Sequence, residues 1–100
     1  PFSRVGRWWD RNEEIDLVAV SEGGGKILFG ECKWSNKPVG TDIYADLKRK
    51  SAMVAWGRKD REEYFVLFSK SGFTPAMKQT ARSENVALFE KDRMLGATKT

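Results

Sequence analysis

The 100-residue chain has no histidine, a single cysteine (Cys32) and three prolines. None of its apolar runs approaches the roughly 20 residues needed to cross a bilayer as a helix. Each absence removes a class of function. Without histidine the chain cannot build a Ser-His-Asp triad, a C₂H₂ finger or a histidine-dependent nuclease. One cysteine forms neither a Cys₄ zinc site nor an internal disulfide. With no signal-peptide pattern either, the expected setting is reducing and cytoplasmic, away from membranes. What remains for chemistry is carboxylate, lysine and hard-metal work, the ligand set that suits Mg²⁺ or Mn²⁺.

The composition, 40% hydrophobic and 32% charged, is that of one globular domain with a modest core. A net charge of +4 suits a polyanionic partner, although many ordinary domains carry as much. Two segments rich in β-branched and aromatic residues, Glu14 to Val20 and Lys26 to Lys33, flank Glu22-Gly23-Gly24-Gly25, whose glycines suit a hairpin loop. Closing the loop at Ser21 and Lys26 sets Val20 opposite Ile27, Val18 opposite Phe29, Asp16 opposite Glu31 and Glu14 opposite Lys33. A one-residue slip would lose the apolar pairs. In this register two carboxylates face each other, and they repel unless a proton or cation lies between them. Lys33 projects from the Glu31 face, where an ammonium can hold a water or a phosphate oxygen. Cys32 alternates away from that face, toward packing.

Ser3 to Trp9 reads as an earlier strand, so three strands form a meander. The second and third are apolar on both faces, which predicts cover on both sides of the sheet. Thr41 is the expected N-cap of a helix of roughly four turns, with Ile43, Tyr44, Leu47, Val54 and Ala55 as its buried stripe and Lys48, Arg49 and Lys50 largely off it. Tyr64 to Ser69 reads as a buried strand, parallel to its neighbour. Thr74-Pro75 caps a second helix from Ala76 to Ser83, and Val86 to Phe89 forms a last strand. The domain is expected over residues 1–90, with a loose tail at 91–100.

The order strand, strand with Asp, strand with Glu-x-Lys, helix, strand, helix, strand resembles the PD-(D/E)XK nuclease superfamily. Gly6-Arg7-Trp8-Trp9, Glu14-Ile15-Asp16 and Gly30-Glu31-Cys32-Lys33-Trp34 more narrowly resemble the nuclease-like domain at the C-terminal end of archaeal and bacterial AAA-type ATPases. That resemblance implies an α/β restriction-endonuclease-like fold of three layers, a mixed β-sheet flanked by helices in the order βββαβαβ, and a Mg²⁺- or Mn²⁺-dependent DNA endonuclease. It implies that Asp16 and Glu31 bind the metal, that the Cys32 carbonyl adds a ligand and that Lys33 is the catalytic lysine. It also implies a helix ahead of the first strand, whereas this chain starts almost at that strand.

Several further residues join the expectation. Glu14 is an alternate ligand or, opposite Lys33, orients that lysine; Gln79 on the second helix is a supporting candidate. Arg7, Arg11, Lys48 and Arg49 are the candidate nucleic-acid contacts, with Trp8 and Trp9 as stacking surfaces. The plainer alternatives are a charged rim for the acids, partial burial for the tryptophans and a solvated face for the basic helix residues, which also complement the helix dipole. The expected partners are DNA, an ATPase domain in the same full-length chain and, for duplex cleavage, a second copy in a homodimer. The alternative function is an inactive, nuclease-derived module that binds DNA or protein.

Overall fold

A computed structural model of the chain describes residues 2–90 and, for the backbone alone, 93–95. Six strands form one mixed sheet in sequential order: β1 (Arg4–Asp10), β2 (Glu13–Val20), β3 (Lys26–Lys33), β4 (Glu62–Ser69), β5 (Val86–Glu90) and β6 (Arg93–Leu95). The first three are antiparallel, β3, β4 and β5 are parallel, and β6 returns antiparallel to β5. Helices α1 (Thr41–Ser51) and α2 (Pro75–Glu84) make the two crossovers. Strand β6 lies where the sequence suggests a loose tail, and the rest of that tail is outside the described residues.

The hairpin register follows the apolar pattern. Val20 pairs with Ile27 and Val18 with Phe29, and the Ser21 N–H donates to the Lys26 carbonyl at 3.0 Å to close the loop. The ladder stops at Leu17 and Gly30, however. On the other side of β2, Gly6 pairs with Val18 but Trp8 with Ile15. Asp16 and Leu17 together therefore oppose Arg7 alone. This is a β-bulge, which re-aims the side chains before it. Ile15 turns fully into the core and Glu14 is exposed, so the expected pairing of Glu14 with Lys33 does not form.

The core lies on one face of the sheet, where Ile15, Ile27, Phe29, Leu67 and Leu88 meet Tyr44 and Leu47 of α1 and Met77 and Ala81 of α2. Successive parallel crossovers of one hand place both helices there. Cover on both faces, expected from the sequence, is thus found on one: the opposite face carries Leu28, Val66 and a stacked Phe68–Phe89 pair, and among the described residues no helix covers it.

Helix α1 begins one residue earlier in its capping than expected, with Gly40 as N-cap and no side-chain cap bond. It ends at Ser51, about a turn short of the expected length, because the Arg61 guanidinium captures the carbonyls of Ser51, Val54 and Trp56 at 3.2, 2.8 and 2.6 Å. Val54 stays buried from the following loop. Thr74 caps α2 as expected, accepting from the Met77 N–H at 3.1 Å with Pro75 at the first position. The loop after α1 rests on the hairpin turn: the Arg58 N–H donates to the Gly24 carbonyl at 3.0 Å. Gly57, at φ 78°, sits so close that a Cβ there would lie 2.7 Å from that oxygen. Gly57→Ala is expected to destabilise the chain by about 1–3 kcal/mol through strain and this clash. Urea denaturation with a lowered midpoint and unchanged slope is the check.

Candidate active site

Because β1 and β3 run the same way and β2 runs opposite, the ends of β1, β3 and β4 and the start of β2 share one end of the sheet, an edge made of strand termini. Asp16, Glu31, Lys33 and Trp34 gather there with Trp9 and Lys70. Asp16, freed from the ladder by the bulge, accepts the Cys32 N–H through Oδ2 at 2.9 Å. This bond replaces the direct strand pairing expected between Asp16 and Glu31. It still brings the carboxylates close enough for the Asp16 charge to act on Glu31.

Glu31 is 8% exposed, held between Leu67 of β4 and helix α1. Its partner is one the sequence pattern placed off the buried stripe: Lys50, 7% exposed, reaches in from the last turn of α1. The Lys50 Nζ donates to the Glu14 carbonyl at 2.6 Å and to Glu31 Oε1 at 3.4 Å, and stands 3.6 Å from Asp46 Oδ2. Burial raises the Glu31 pKa above the ordinary carboxylate value, the Asp16 charge raises it further, and Lys50 opposes both. The spacing Ile43, Leu47, Lys50, Val54 is itself helical and carries the signal for this burial.

Lys33 alternates onto the Glu31 face and is half-buried, next to Ser69 of β4. Among the described residues its ammonium has no hydrogen bond or ion pair. Cys32 is exposed, not packed, because it lies on the uncovered face at the sheet's edge. Partial burial, followed by the charges of Asp16 and Glu31, raises its thiol pKa, against the pull of Arg7.

The other candidates are spread more widely. Glu14 meets Arg7 at 3.9 Å and orients no lysine of β3. Gln79 is on the exposed side of α2, whose buried residues are Met77 and Ala81. Arg11 occupies the turn between β1 and β2 with φ 57°. Arg49 forks onto Glu13 at 2.9 and 3.1 Å and onto Asp46 at 2.8 and 3.0 Å, which lowers the pKa of both acids. Lys48 bonds Glu84 at 3.3 Å and lies over the Tyr44 ring. Both basic residues therefore spend their charge pinning α1 to β2 and α2. Trp9 and Trp34, by contrast, are 67% and 68% exposed.

No group of three or more Asp, Glu, Cys or His comes together among the described residues as a protein-only metal cage. Two adjacent carboxylates, one with raised proton affinity, are nevertheless the donor set on which Mg²⁺ sits while keeping several waters. The residues present fit such an ion. Among the described residues, no helix is long and apolar enough to cross a membrane.

The fold is α/β and restriction-endonuclease-like. The crystal structure of a repair endonuclease from Pyrococcus abyssi superposes on 91% of the chain and 40% of its own with a TM-score of 0.58, at 14% identity. Residues 1–54 match the family DUF234, described as "Archaea bacterial proteins of unknown function". The chain belongs to that family, and the matched segment includes Asp16, Glu31, Lys33 and Lys50. An uncharacterized protein of Methanocaldococcus jannaschii, MJECL04, is 44% identical over 72 residues, 69% of this chain. The chain spans only 16% of that relative's length.

The raised Glu31 pKa has a definite sign in stability. Between the unfolded glutamate value of about 4.3 and the raised folded value, the folded state binds the extra proton, so stability from this group falls as pH rises through that window. Asp16→Asn removes the charge that helps raise it. The Glu31 pKa is then expected to move down toward the ordinary value while burial keeps it above, read by NMR titration of the side-chain carboxyl carbon. An unchanged value would separate the two acids electrostatically.

Proposed function

We propose that this domain hydrolyses DNA phosphodiester bonds in a divalent-metal-dependent reaction at the Asp16–Glu31–Lys33 edge, as the C-terminal part of an AAA-type ATPase. The observation that carries this reading is the meeting, on a restriction-endonuclease-like sheet, of Asp16 and Glu31, close enough for one charge to act on the other, with a lysine that has no partner among the described residues. Asp16 and Glu31 would hold Mg²⁺ or Mn²⁺, with the Cys32 carbonyl as a further ligand. When bound, the ion supplies Lewis-acid neutralisation of phosphate charge and lowers the pKa of a bound water. The Cys32 N–H holds one oxygen of Asp16, and the other would take the ion. Glu31 is held by burial and by Lys50. The Lys33 ammonium, without a partner among the described residues, would donate to a phosphate oxygen whose charge grows in the transition state. Trp9 and Trp34 stand exposed at the same edge and offer stacking faces beside it.

A second reading is favoured by the Lys50 contact. With an ammonium already on Glu31 and only two acids at hand among the described residues, the same edge suits a module that binds DNA for the attached ATPase without cleaving it. The two readings differ in the role of Lys33. Under hydrolysis, Lys33→Ala lowers cleavage by a factor of about 10² to 10³ while DNA binding persists. Persistence of Mg²⁺-dependent cleavage in that variant would remove the catalytic assignment. Under either reading Trp34→Ala is expected to weaken DNA affinity by about 1–3 kcal/mol, measured by fluorescence anisotropy at fixed salt.

A further inference from the structure

Lys50 is the one lysine buried among the described residues, and the proposed hydrolysis gives it no part beyond holding Glu31. Its ammonium donates two hydrogen bonds, to the Glu14 carbonyl and to Glu31, and forms an ion pair with Asp46. The three contacts are unequal: 2.6 Å to the Glu14 carbonyl, 3.4 Å to Glu31 and 3.6 Å to Asp46. The firm anchor is the carbonyl at the bulge, and the contact with Glu31 is looser. Asp16 and Glu31 set against the one Lys50 ammonium leave the acid pair with a net negative charge, partly screened from water. A buried pair of this kind is weak support for stability, because desolvation offsets the attraction.

We infer that Lys50 is the resident cation of the acid pair, and that a divalent ion entering between Asp16 and Glu31 displaces its ammonium from Glu31. The Glu14 carbonyl and Asp46 retain the displaced ammonium, which keeps its proton and its charge throughout. Lys50 is thus a positioning residue that holds Glu31 in its ion-binding place and sets how tightly the ion is taken up. The inference rests on the metal-binding part of the proposed function.

Calorimetric titration of the chain with Mn²⁺ at neutral pH tests it, comparing wild type with Lys50→Met and Lys50→Arg. Removing a unit positive charge a few ångström from the ion is expected to tighten Mn²⁺ binding about tenfold or more in Lys50→Met. Lys50→Arg keeps the charge and is expected to bind no tighter than wild type. A merely structural lysine gives the reverse, with weaker binding in Lys50→Met. Equal or weaker binding in a Lys50→Met variant whose NMR spectrum is native overturns the inference alone. Absence of Mn²⁺ binding in wild type and variant together removes the metal reading beneath it. Should Lys50→Met fail to fold, ammonium ¹⁵N NMR of wild type decides: Mg²⁺ saturation is expected to shift the Lys50 signal, and an unmoved signal overturns the inference.

Discussion

The bulge at Asp16 and Leu17 is the constraint on which this end of the molecule depends. One extra residue on β2 changes the parity of the strand, so Ile15 enters the core and Glu14 leaves it. Asp16 stands at the change, released from pairing and turned to take the Cys32 N–H. A regular ladder would satisfy that N–H across the strand pair and fix Asp16 as one more alternating side chain. The bulge also presents the Glu14 carbonyl to helix α1, where Lys50 uses it. One irregular residue thus joins β2, β3 and α1 at a single point.

Helix α1 is the second element of the arrangement. Its apolar stripe rests on the sheet through Tyr44 and Leu47, but its position along the sheet is set by charge. Arg49 grips Glu13, Lys48 grips Glu84, and Lys50 enters beneath them. Exposed pairs like the first two contribute little energy individually. Their effect is geometric: they hold the helix so that a long lysine reaches Glu31. The acid pair is held together at a cost that burial makes plain, since Glu31 keeps a proton more readily than an exposed glutamate. Groups that bind a cation or act on a substrate commonly carry such strain.

Much of the fold was legible in the sequence because it follows from short-range rules. The apolar pairs of the β2–β3 hairpin, the parallel β3–β4 neighbours and the Thr74-Pro75 cap all appear where patterning and capping chemistry place them. The bulge was not legible as a bulge, since it arises from pairing with β1, whose own residues alternate weakly. Its trace is the spacing of Ile15, Val18 and Val20, which breaks strict alternation. The burial of Lys50 was hidden by residue type: a lysine at a stripe position reads as polar surface, and its acceptors come from strands distant in sequence. The early end of α1 depends on Arg61, ten residues beyond Ser51. The uncovered sheet face follows from crossover handedness, which puts both helices on the same side whatever the strands' composition.

The proposed cation site would join Asp16 and Glu31 at the sheet's edge. Addition of substoichiometric Mn²⁺ to ¹⁵N-labelled protein, with backbone amide signals followed by NMR, tests it most directly, because the paramagnetic ion broadens only nearby signals. The expected result is broadening centred on Asp16, Glu31, Cys32 and Lys33, reversed by excess Mg²⁺. Broadening centred instead on the more exposed acids Asp46 or Glu84, or none at all, would contradict such a site.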